Sequence, residues 1–137
     1  MTPLLRSRRL EGFIAVHPKG GGNTWNAGLC CGEAMTAKVD DVGFVAAMLD
    51  ELEARFCVDT DRVFACRLSN GGFISHRLAC ELSERIAAIA PVAGTNVTSP
   101  CAPSQPVSVI HFHGTADTLV PYNGFAGGFA SRRQHHG

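Results

Sequence analysis

A chain of 137 residues can hold one domain with a real hydrophobic core, since domains of ~100 to 150 residues are the commonest size, and it leaves no room for a second. With 45% hydrophobic and 18% charged residues and a formal net charge of zero, the composition excludes disorder and an electrostatic grip on nucleic acid or an anionic membrane. No apolar run reaches the ~18 residues of a membrane span, and Met1 to Leu10 carries basic residues without the apolar centre of a signal peptide. The sequence therefore predicts a soluble, untargeted chain acting on small or uncharged molecules, and leaves its compartment unknown.

In chain order, residues 12–18 (Gly-Phe-Ile-Ala-Val-His-Pro) read as a buried strand closed by proline, followed by a loop with glycines 20–22, Trp25 and the Cys30-Cys31 pair. Those glycines lack both a GKS or GKT ending and GxGxxG spacing, so they read as loop flexibility and not as a phosphate cradle. A helix over 40–56 follows, with Asp40 as its cap, Val39 and Phe44 as a hydrophobic staple, and Val42, Val45, Leu49, Leu52 and Phe56 on one face. Capping and the helix dipole account for Asp40 and Asp41 without a catalytic role.

After the turn 59–61, residues 62–66 form a strand, Ser69-Asn70-Gly71-Gly72 a tight turn, and residues 73–82 a helix. Residues 86–93 and 107–112 are two further buried strands. The glycine-, arginine- and histidine-rich stretch 124–137 has too little apolar content to assign. Strands alternating with helices predict an α/β fold: a mainly parallel sheet of about four strands, flanked by helices on both faces. The six cysteines lack the paired CxxC spacing of a zinc site, so no metal is expected. Cys66 and Cys80, both in apolar stretches, read as small core residues, while disulfides suit an exported relative.

The chemistry points to Ser69. A serine between a buried strand and a helix is lifted above the sheet by the sharp turn, with the helix N-terminus aimed at it. The nucleophile-elbow pattern GxSxG reads here Arg67-Leu68-Ser69-Asn70-Gly71, with the second glycine kept and the first replaced. Helix capping is the structural alternative for the same serine. Asp117, in His113-Gly114-Thr115-Ala116-Asp117 just past the last strand, stands where a parallel sheet presents its chemistry, and its place after Ser69 fits the order serine, acid, histidine.

The chain resembles the polyhydroxybutyrate depolymerase and feruloyl or acetylxylan esterase group of α/β-hydrolases from about Gly12 to Tyr122. The likeness rests on Trp25-Asn26-Ala27-Gly28 with Cys30-Cys31-Gly32, on residues 39–44, on Leu68-Ser69-Asn70-Gly71-Gly72 with Arg77-Leu78-Ala79-Cys80-Glu81, on residues 90–95, and on residues 113–117 with Val120-Pro121-Tyr122. It implies a single, partial α/β-hydrolase domain over 1–137, truncated at both ends, and a serine esterase of short-chain or small aromatic carboxylic esters. No cofactor is implied, and such relatives are often secreted. Ser69 would be the nucleophile and Asp117 the acid, with the Asn70 amide beside Gly71 as an oxyanion donor.

Three departures accompany the resemblance. Arg67 replaces a glycine; no upstream His-Gly strand precedes Gly12 to supply the second oxyanion amide, a loss of ~100 to 1,000-fold in turnover; and the downstream histidine segment is missing, so that only His135 and His136 follow Asp117. The base would then be His135 or His136, if the tail folds back, or come from a partner chain, or be missing altogether. His17 reads as a strand end, His76 as pointing away from the turn, His111 as an alternating strand residue and His113 as shaping the Asp117 loop. Uncovered strand edges and apolar helix faces predict a homo-oligomer. The same departures frame the alternative: a non-catalytic, hydrolase-derived binding or assembly unit.

Overall fold

In the computed structural model, which describes residues 12–124, a short helix α1 (Gly32–Thr36) precedes the long helix α2 (Asp41–Arg55). The Asp40 side chain accepts from the Gly43 amide at 2.9 Å, satisfying one of the orphan donors of the first turn, as the cap pattern predicts. Val42, Val45 and Leu49 are buried, whereas the helix end at Phe56 is 39% exposed. Phe44 stands beside Trp25, ring centroids 6.2 Å apart.

Strand β1 (Phe64–Leu68) leads through Ser69 into α3 (Asn70–Glu81); β2 (Ala88–Val92) and β3 (Ser108–Val109) follow. The three strands form a parallel sheet in the order β1-β2-β3, with Ala65 opposite Ile89, Leu68 opposite Val92 and Ile89 opposite Val109. A last bridge joins Val92 to Phe112. The fold is α/β, and its elements lie within a few residues of the predicted ones, α3 starting three residues earlier because the helix begins directly at the turn.

Phe73, Ile74 and Leu78 of α3 meet Val42, Val45 and Leu49 of α2, Ile86 and Ile89 in one core cluster that also holds Trp25 and Ala27. Arg85, beyond α3, reaches back to Asp50 and Glu53 of α2 at 3.0 and 2.9 Å. Cys80, buried in α3, is joined to Cys101.

Four expectations are corrected. Residues 12–18 are no buried strand: Val16 alone makes a bridge, and Phe13 is 56% exposed, so the described sheet has three strands, not about four. Among the described residues the sheet is also covered on one face only. By register, Phe64 and Leu68 share a face with Val92, Ile110 and Phe112, and four of these are more than half exposed. Their alternation is that of a buried face, which is why sequence read it so, but no described element packs on them. Cys66 lies on that same bare face and is exposed and unpaired; Cys80 is buried as expected, though as half of a disulfide and not as a free core thiol. Asp41, assigned with Asp40 to capping and the helix dipole, is also buried and carries a tertiary bond described below.

Ile89 is 1% exposed at the centre of the covered face. Replacing it by alanine is expected to cost about 3 kcal/mol through lost burial and an unfilled cavity, read as a lower midpoint in urea denaturation.

Candidate active site

Ser69 sits at the junction of β1 and α3 with φ 56° and ψ −124°, a left-handed backbone that a residue with a Cβ adopts only at a cost of order 1–3 kcal/mol. Tertiary bonds hold it there. Its amide donates to Val92 O at 2.8 Å, and its carbonyl accepts from the amides of Gly72 and Phe73 at 2.7 and 3.0 Å. Its side chain makes no capping bond, so the structural alternative of a cap serine is not realised. The hydroxyl stands exposed over the N-terminus of α3, and the amide of Asn70 is the next along.

The turn is possible because small residues stack behind it. A Cβ on Gly94 would stand 2.7 Å from Gly72 C and Phe73 N, and one on Gly72 would stand 3.1 Å from Val92 O, backbone against backbone in both cases. Arg67 is accommodated by the other glycine of the turn: a Cβ on Gly71 would collide with Arg67 Cγ. The arginine therefore runs across Gly71 to solvent, turning away instead of splaying the elbow.

Asn70 performs work that sequence reading missed. Its Oδ1 accepts from the Trp25 amide at 2.6 Å and its Nδ2 donates to the Trp25 carbonyl at 2.9 Å. The neighbouring Asn26 is held twice more, its amide by buried Asp41 Oδ2 at 2.6 Å and its carbonyl by Arg77 Nη1 at 2.7 Å. Arg77 in turn lies against Glu81 at 2.6 Å. Three side chains from two helices, α2 and α3, thus grip two residues of the tryptophan loop; the cue in sequence was only that Trp25-Asn26 recurs in the resemblance.

Asp117 lies in the turn past β3. Its Oδ1 accepts from the amides of Val120 and Leu119, each at 2.8 Å, and these bonds hold the carboxyl below its ordinary range, with His113 adding a smaller effect. Oδ2 is 3.6 Å from His113 Nε2, whose hydrogen bond goes to Val120 O at 2.6 Å. Ser69 and Asp117 follow the carboxyl ends of β1 and β3, the outer strands of one parallel sheet, whose axes are about 10 Å apart by two interstrand spacings. His135 and His136 lie outside the described residues. A cleft of about 470 Å³ lined by Gly28, Leu29, Arg77, Glu81 and residues 98–100 is at the other end of α3, roughly 18 Å of helix rise from Ser69.

His76, on α3, is half-buried against His111, and burial first, then the His111 ring, push its pKa down. Folded His76 thus refuses a proton that the unfolded chain accepts once the pH falls through 6.5. Above that value both states are neutral and the residue is silent; below it the unfolded state binds more protons and stability declines. The thermal midpoint is expected to drop between pH 7.5 and 5.5, and to drop less in His76→Gln.

No family model matches the chain. Among curated proteins it is 37% identical over 108 residues to feruloyl esterase B of Piromyces equi, an alignment covering 75% of this chain and 19% of that protein. It is 31% identical over 112 residues to a bifunctional acetylxylan esterase/xylanase of Neocallimastix patriciarum, covering 82% of this chain and 16% of the relative. With a probable feruloyl esterase C of Aspergillus clavatus it shares 30% over 115 residues, covering 84% and 38%. The chain spans between about a sixth and two fifths of the length of these relatives. With most of its length matched to them, the chain belongs to the esterase family of the feruloyl and acetylxylan esterases.

Proposed function

We propose that this chain is a serine esterase segment of α/β-hydrolase type, cleaving short-chain or small aromatic carboxylic esters through an acyl-enzyme. The observation that carries the reading is Ser69 itself: a non-glycine residue held in left-handed backbone, hydroxyl unspent, at a strand-to-helix turn. Strain kept at such a point needs the surrounding structure to impose it, and a nucleophile elbow is the chemistry that uses it.

In this reading Ser69 Oγ attacks the ester carbonyl while a histidine takes its proton. The tetrahedral oxyanion rests on the Asn70 amide and the positive end of α3, with Gly71 leaving the turn tight. Collapse expels the alcohol, which receives that proton, and water, activated by the same histidine, releases the acid and restores Ser69. Asp117 orients and stabilises the imidazolium through Oδ2, its Oδ1 being occupied by two amides. His135, His136 or a histidine of a partner chain supplies the base. The names of the relatives support feruloyl and acetyl esters as the substrate class.

Hydrolysis of p-nitrophenyl acetate by the purified chain is expected to fall to the background rate in Ser69→Ala; equal rates in the two proteins would sink the esterase reading. The bare apolar sheet face around Phe64, Leu68, Ile110 and Phe112 supports a second proposal, a homo-oligomer that covers it. Light scattering at micromolar concentration is expected to give a multiple of the chain mass, and a stable monomer would contradict it.

A further inference from the structure

A row of imidazoles links the helix that begins at Ser69 to the turn that carries Asp117. His76, two turns along α3, meets the His111 ring edge-on with centroids 5.7 Å apart. His111 meets His113 in the same way at 5.3 Å, with His111 Nε2 3.3 Å from His113 Nδ1. His113 has a side chain only 7% exposed, lies edge-on to Tyr122 at 6.0 Å, and reaches Val120 O through Nε2 at 2.6 Å.

The partners fix the protons. A carbonyl oxygen only accepts, so His113 Nε2 carries hydrogen; in the neutral ring Nδ1 is then an acceptor, and the hydrogen between the two rings belongs to His111 Nε2. Direction therefore runs from His111 to His113 to Val120. At Val120 the row meets the acid, since the amide of that residue is one of the two donors on Asp117 Oδ1. One residue is thus held through its carbonyl by His113 and through its amide by Asp117.

We infer that His111 and His113 are positioning residues for the reaction proposed above, locking the 113–120 turn so that Asp117 keeps both backbone amides on Oδ1 and presents Oδ2 to the base. The inference rests on Asp117 as the acid of the triad. Neither histidine touches the ester or takes its proton. Without the Nε2 donor, the Val120 carbonyl is free to turn, the peptide units around it turn with it, and the carboxylate loses the alignment that a triad needs. A displacement near 1 Å there costs about a hundredfold in rate.

The test uses the whole chain with His113→Phe, which keeps an aromatic ring against Tyr122 but has no donor, and His113→Gln, whose amide can still donate to Val120 O. Long-range proton–nitrogen NMR on the unmodified chain is expected to show His113 in the Nε2–H form; the Nδ1–H form would overturn the inference before any variant is made. The carboxyl carbon of Asp117 is expected to titrate below the ordinary range in the unmodified and Gln chains and to return toward it in the Phe chain. Turnover of p-nitrophenyl acetate is expected to fall about a hundredfold in the Phe chain with KM little changed, and to recover most of the way in the Gln chain. An Asp117 titration unchanged in the Phe chain, or a Gln chain no better than the Phe chain, would refute it. Undiminished hydrolysis by Ser69→Ala would instead remove the esterase reading, and the proton placement and the Asp117 titration would still decide the role of His113.

Discussion

The approach of Gly94 to Gly72 and Phe73, backbone against backbone, is the contact on which the rest of the site depends. It lets the first turn of α3 press against the end of β2, and this places Val92 O within 2.8 Å of the Ser69 amide. That bond, together with the two amides on the Ser69 carbonyl, keeps the serine in a conformation it would not choose alone. A side chain at either glycine would part strand and helix and relax the turn. Arg67 shows how local the requirement is: the position before the turn takes a long side chain because Gly71, not Arg67, is the residue that must be small.

Around this turn the structure builds outward by gripping a loop that has almost no regular structure of its own. Trp25 is held through both backbone groups by the Asn70 side chain, and Asn26 by the buried Asp41 carboxylate and the partly buried Arg77 guanidinium. A buried polar group is costly unless hydrogen-bonded, and each here is bonded: Asp41 accepts from the Asn26 amide, while Arg77 divides its donors between Asn26 O and Glu81. The loop in turn delivers Trp25 and Ala27 to the core shared by α2 and α3. The turn, the loop and the helix pair are therefore tied together, with the side chain of Asn70, the residue after the proposed nucleophile, joining the loop to α3.

The sheet itself is lopsided. Its helix-covered face holds Ile89 and Pro91, both almost wholly buried, while Phe64, Leu68, Ile110 and Phe112 stand bare on the other. Apolar area of this kind is normally hidden from water. The relatives are about two to five times as long as the chain, so their matching segments stand within much more polypeptide.

Periodicity and cap chemistry were enough to determine α2, α3 and the presence of β1, β2 and β3 along the chain, because each is specified by residues three, four or two positions apart. The strand-turn-helix around Ser69 and the acid beyond the last strand were legible for the same reason. Sequence alone did not show that residues 12–18 are not a buried strand of the described sheet, since an apolar run looks the same whether its side chains end up buried or exposed. Nor could it show the bonds that tie Asn70 to Trp25 and Asp41 to Asn26, or the path of His76, His111 and His113 toward Asp117, which join residues distant in the chain. Local chemistry fixed which elements form and where a nucleophile could stand; only the packing of those elements decided which face was covered, which carboxylate was buried and which side chains surround Asp117, because those outcomes depend on neighbours that the chain brings together by folding.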